Sequence, residues 1–92
     1  MLVSYFYSLL LANMSHYINL TVINIKGGRS TALIQASATV FQLKQQLQDE
    51  RGLVIDRLRI MFAGKQLSDD RTLADYNIQD GASIHIILRT IG

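Results

Sequence analysis

Ninety-two residues, 49% of them hydrophobic and 17% charged, point to one domain with enough apolar material for a core and away from a disordered tail. Nine Lys and Arg against seven Asp and Glu leave +2 at pH 7, with no five-residue basic block, so nucleic acid finds little electrostatic purchase. The lack of cysteine removes disulfides, thiolate zinc sites, cysteine nucleophiles and thioester carriers together.

The first charged side chain is Lys26. Residues 2–12 form a mostly apolar run, well short of the roughly 20 residues that span a bilayer as a helix. No cation precedes the run, as a signal peptide would require, and no membrane association is expected. Residues 1–17 are therefore expected to be an apolar extension, disordered or loosely packed, with Met14 as an alternative start. The folded domain is expected over residues 18–92.

Ile18, Leu20 and Val22 alternate with Asn19, Thr21 and Ile23, the period of a strand buried on one face. Gly27-Gly28 then suits a tight reversal, and residues 29–36 form the return strand with Ala32 and Ile34 inward. Thr39 is the expected N-cap of a helix, with Gln42 completing a capping box. Val40, Leu43 and Leu47 make its apolar stripe, Phe41 falls outside it, and Gly52 closes it in the left-handed conformation.

Leu58, Ile60 and Phe62 are expected to face the core from the next strand, with Arg59 and Met61 facing out. Ala63-Gly64 turns the chain into a short segment over residues 65–67. Residues 68–76 read as an ordered polar excursion anchored by Leu73 and Tyr76. Asp80-Gly81 signals another turn before a last strand over residues 83–89, with Ile84, Ile86 and Leu88 inward and His85 and Ile87 outward. The pattern is α+β: a sheet with one helix across one face.

Catalytic chemistry has little to stand on. His16 and His85 lie far apart, no His-Glu-x-x-His spacing occurs, and Asp69-Asp70 lacks the other oxygens of a calcium loop. Gly27-Gly28 has no Lys-Ser/Thr pair for a phosphate loop, and no serine sits in a Gly-x-Ser-x-Gly elbow. Neither a catalytic residue, a metal nor a cofactor is expected. The outward face of the sheet is more informative. If the first and last strands are neighbours, Ile23, His85, Ile87 and Met61 share one side with Ile25 overhanging, rimmed by Arg59 and Arg89.

The segments Phe62-Ala63-Gly64-Lys65-Gln66-Leu67, Arg71-Thr72-Leu73 and Asp75-Tyr76-Asn77-Ile78-Gln79 resemble the ubiquitin family closely. Lys44, Gln48-Asp49, Gly52, His85 and Leu88-Arg89 continue the likeness, which runs from Ile18 to Gly92 without insertion or deletion. The resemblance implies a β-grasp fold and an apolar recognition patch at Ile25, Met61 and Ile87 beside His85. Ile23 stands where the family carries a lysine, and Val54-Ile55 replace two prolines. The resemblance further implies acceptor lysines at Lys44 and Lys65.

The tail Leu88-Arg89-Thr90-Ile91-Gly92 departs most from the family's arginine-bearing diglycine end. Arg89 matches a residue read by activating enzymes, whereas Ile91 replaces the second arginine. Implied by the resemblance, then, is a monomeric interaction module of the cytoplasm or nucleus. Its partners are ubiquitin-binding helices and small helical domains, including proteasome or other ubiquitin-pathway components. The alternative implied is a covalent modifier with an atypical or truncated tail.

Overall fold

In the computed structural model, which describes residues 16–89, strand β1 (Tyr17–Ile23) pairs antiparallel with β2 (Arg29–Gln35). The pairing starts one residue before the apolar alternation, at Tyr17 opposite Gln35. The leading segment 1–15 and the tail residues Thr90, Ile91 and Gly92 lie outside the described residues.

Helix α1 (Val40–Arg51) forms where the sequence pattern places it, and both of its ends are chemically closed. Thr39 Oγ1 accepts from the Gln42 amide at 3.1 Å, while Gln42 Oε1 accepts from the Thr39 amide at 2.8 Å. Such reciprocal bonds satisfy donors that a helix start otherwise leaves unpaired. At the far end Gly52 takes φ +69° and donates to the Gln48 carbonyl, a conformation that a Cβ would oppose. Val40, Leu43 and Leu47 are fully buried beneath the helix, and Phe41 stays 40% exposed.

After a single 3-10 turn (Ile55–Arg57), β3 (Leu58–Phe62), β4 (Lys65–Gln66) and β5 (Ser83–Leu88) complete a five-stranded sheet in the order β2-β1-β5-β3-β4. The central β1–β5 pair is parallel, whereas the other pairs are antiparallel. One mixed sheet with one main helix is a β-grasp arrangement. The core lies between them, and Leu20, Leu43, Leu47, Ile60, Leu73 and Ile84 are its largest fully buried side chains. Burying each such side chain contributes about 1.5–3 kcal/mol.

The polar excursion is ordered because its backbone completes the helix start. The Arg71 and Asp69 carbonyls accept from the Val40 and Phe41 amides at 2.8 and 3.1 Å, and the Leu73 amide donates to Ala38. Leu73 is fully buried, and the Ser68 amide donates to the Tyr76 hydroxyl at 2.8 Å. Thr72 and Asp75 exchange a second reciprocal pair of bonds before the 3-10 turn Ala74–Tyr76. The Thr72 backbone N–H, donating to the Asp75 carboxylate, holds that group below its usual carboxylate value. Leu67 and Ile78 are also in the core, although neither belongs to a periodic stretch.

One expectation needs correction. Leu88 keeps the inward alternation of β5 but is 44% exposed. It lines an open groove with Leu53 and Arg51 at the end of the helix, where no element closes over it. Lys44, which the resemblance matches to an acceptor lysine, is only 8% exposed and its Nζ lies 2.7 Å from Asp69 Oδ1. Its long apolar stem is absorbed next to Leu43, and its ammonium is engaged by the excursion rather than offered to solvent. Lys65, on the two-residue strand β4, is exposed.

The outer edge of the sheet also meets the helix. Gln46 Nε2 donates to the Leu33 carbonyl at 2.9 Å, and Arg51 Nη2 donates to the Thr31 carbonyl at 3.1 Å.

Candidate functional site

Strand register assembles the candidate surface. Ile23 of β1 is in register with His85 of β5, and His85 is in register with Met61 of β3. Neighbouring strands lie roughly 4.8 Å apart, so these side chains form a row roughly 10 Å across on the face away from the helix. Ile87, two residues beyond His85, extends the row along β5, and Arg59 stands opposite it on β3. Ile23 and Met61 are half-buried, while His85 and Ile87 are exposed.

Ile25 is 76% exposed, the most open large apolar side chain of the described residues. Together with Ile23, Met61, His85 and Ile87 it lines an open depression of about 400 Å³. Asn24 and Gly64 line it as well, and neither follows from strand alternation. Gly64 belongs there through the β3–β4 turn, where Ala63 and Gly64 both take positive φ, 50° and 77°. That is the backbone of a two-residue hairpin loop, and it costs alanine about 1–2 kcal/mol relative to glycine's freedom.

Asn24 is the residue that holds Ile25 in place. Its Oδ1 accepts from the amides of Lys26 at 3.0 Å and Gly28 at 2.8 Å, and its carbonyl accepts from Gly27 at 3.0 Å. An asparagine opening a turn that ends in two glycines is the signal in the sequence. Replacing Asn24 by alanine is expected to lower stability by about 1 kcal/mol. Amide exchange should accelerate at Lys26 and Gly28 while residues of α1 keep their protection. Unchanged exchange at both amides would remove Asn24 from this role.

The electrostatics are one-sided. No acidic residue lines the depression. Arg59 is steadied by a 2.9 Å bond from Nη1 to Gln66 Oε1, and Arg89, whose amide donates to the Arg57 carbonyl at 2.7 Å, follows Ile87 at the end of β5. A centre of apolar side chains with cations at the rim can bury a small apolar surface and pair a partner's carboxylates there. The expected patch residues Ile23, Ile25, Met61, His85 and Ile87 thus come together, with Arg59 and Arg89 beside them. Lys44 does not belong to this surface, and the groove at Leu88 is lined by different residues, apart from Asn24 and Ile86. Among the described residues no cluster of three His, Cys, Asp or Glu is placed to hold a metal, and no helix is long and apolar enough to cross a membrane.

Comparison with known proteins agrees with this architecture. The chain is 34% identical over 67 residues to the ubiquitin domain-containing protein DSK2 of Saccharomyces cerevisiae, covering 71% of this chain but only 18% of that protein. It is 32% identical over 59 residues to the NEDD8-like protein RUB3 of Arabidopsis thaliana, covering 64% of this chain and 76% of that one. Similarity to the large proline-rich protein BAG6 of Danio rerio, 33% over 75 residues, covers 82% of this chain and 6% of that protein. The family model for the ubiquitin family matches residues 20–91, and with the mixed sheet and single main helix it establishes that the chain belongs to the ubiquitin family.

Proposed function

We propose that the chain is a protein-interaction module that docks its apolar patch on ubiquitin-recognising helices or small helical domains of the ubiquitin–proteasome system. Ile25, Met61 and Ile87 are the anchors in this reading, His85 and Ile23 extend them, and Arg59 and Arg89 pair with acidic groups at the margin. The observation that supports it is the uninterrupted row Ile23–His85–Met61 across three strands, with no carboxylate lining the depression. The chain works as a binder rather than an enzyme, as a monomer, in the cytoplasm or nucleus.

A patch of a few anchors implies weak binding, in the high-micromolar range, or about −5 to −6 kcal/mol. A chemical-shift titration of the labelled chain with a ubiquitin-recognising helical domain tests it. Shifts centred on Ile25, Met61, His85 and Ile87 are expected. No binding across several such domains, or shifts confined to residues 68–75, would sink the reading.

A second reading, covalent attachment to other proteins, draws support from the NEDD8-like relative, most of whose length is matched, and from the exposed Lys65. Incubation with an activating enzyme and ATP separates the two. A module forms no thioester, which is the expected result, whereas a modifier is charged.

A further inference from the structure

We infer that residues 2–12 fold back as a helix across the outer face of the sheet and occupy the depression at Ile23, Met61 and Ile87, so that a partner docks there only by displacing them. The competition rests on the docking reading; the covering itself does not.

The segment lies outside the described residues, but the place where it joins them is fixed. The Ala36 amide donates to the His16 carbonyl at 2.9 Å, and the chain enters the sheet at Tyr17, opposite Gln35. With Ile18, Leu20 and Val22 buried toward the helix, Tyr17, Asn19, Thr21 and Ile23 form the outer row of β1. Gln35, Leu33, Thr31 and Arg29 stand opposite them on β2. Tyr17 and Leu33 are 42% and 55% exposed, so apolar surface lies bare at the entry end of this face as well as at the depression. Between the two ends neither row carries a charge: Lys26 and Arg29 come only at the far end, level with Ile23 or past it. At the entry end the Asp80 carboxylate is engaged by the Asn19 amide at 2.7 Å.

The leading segment matches that face. It too has no formal side-chain charge, since the first charged residue is Lys26. Leu2, Phe6 and Leu9 recur at i, i+4 and i+7, one stripe of a helical period, with Ser4 and Ser8 on the opposite side. A segment laid on a sheet face must pair its own backbone groups, and a helix does so. As a helix, residues 2–12 span about 16 Å, against about 20 Å from the level of Tyr17 to that of Ile23. Asn13 and Ser15 suit the reversal between the two. Covering removes apolar surface from water on both sides, and because the occupant is tethered it reaches the face at high effective concentration.

The chain contains no cysteine, so Ser8→Cys gives a single attachment point for a nitroxide, on the side of the segment turned away from the sheet. In the full chain, paramagnetic broadening is expected at the amides of Thr21, Ile23, Leu33 and Met61 and not at Gln45 on α1. Broadening that is absent, or spread evenly over the molecule, overturns the inference. Broadening passed from a nitroxide-bearing chain to an unmodified one in a mixture makes a second copy the occupant and overturns it too. Phe6→Asp together with Leu9→Asp should abolish the broadening and tighten binding of a ubiquitin-recognising helical domain about fivefold, because a face covered about four-fifths of the time takes its partner at about one-fifth of the strength. Affinity unchanged by the two substitutions overturns the competition and leaves docking intact. No binding even by this released variant overturns the docking reading, while the broadening pattern still decides whether the face is covered.

Discussion

Truncating Leu43 to alanine is expected to cost the fold about 2–5 kcal/mol, the largest effect of any single change considered. Leu43 is fully buried on the inner face of α1, among Leu20, Leu47, Ile60 and Ile84 of the same core. The deletion loses the transfer energy of the side chain and leaves a cavity that the sheet beneath cannot fill by relaxing. Gln45, two positions along the same helix, is exposed, and Gln45→Ala should change stability by less than about 0.5 kcal/mol. Denaturant unfolding of both variants measures the contrast. Equal losses would mean that the helix presents a different face to the sheet.

The second large effect is on binding. Met61→Ala should weaken docking by about 1–2 kcal/mol, a five- to thirtyfold rise in Kd, because Met61 lies between His85 and the β3–β4 turn inside the depression. A thioether chain without branches adapts to irregular partner surfaces, and alanine leaves that part of the interface unfilled. The same substitution should disturb the fold far less than Leu43→Ala, since Met61 is on the sheet face away from the helix and only half-buried. A titration with Met61→Ala that matched the unmodified chain would remove it from the anchors. Loss of binding together with collapse of the helix signals would show that the residue acts on folding instead.

What was legible in the sequence was mostly what neighbouring residues decide among themselves. The capping box of Thr39 and Gln42, the stripe of Val40, Leu43 and Leu47, and the left-handed stop at Gly52 are all present. Each is local, so spacing alone carries it. Leu88 was misread because alternation reports which face a side chain takes, not whether anything lies over that face. The ion pair of Lys44 was not legible because its partner Asp69 is in a polar stretch 25 residues later, a distance that no helical or strand period encodes. Leu67 and Ile78 went unnoticed as core residues for a related reason: isolated apolar residues in loops have no period to betray them. The patch was legible in part. Alternation assigned Met61, His85 and Ile87 to one face, but their meeting with Ile23 depends on the parallel β1–β5 pair, which alternation within a strand does not report. Asn24 escaped because its contribution is two bonds to turn amides, not burial.

The side chains of Gln46 and Arg51 that reach the β2 carbonyls also bear on how the protein behaves in a crowd. An unpaired sheet margin is a template on which a foreign strand can grow, and repeated growth of that kind leads to fibrils. On β2 the acceptors at Thr31 and Leu33 are already occupied from within the same molecule, so a strand arriving there must first displace a guanidinium and an amide. The helix thereby shields the margin it overlies against cross-molecular strand exchange, and the face on the other side of the sheet can stay apolar with that route to assembly obstructed.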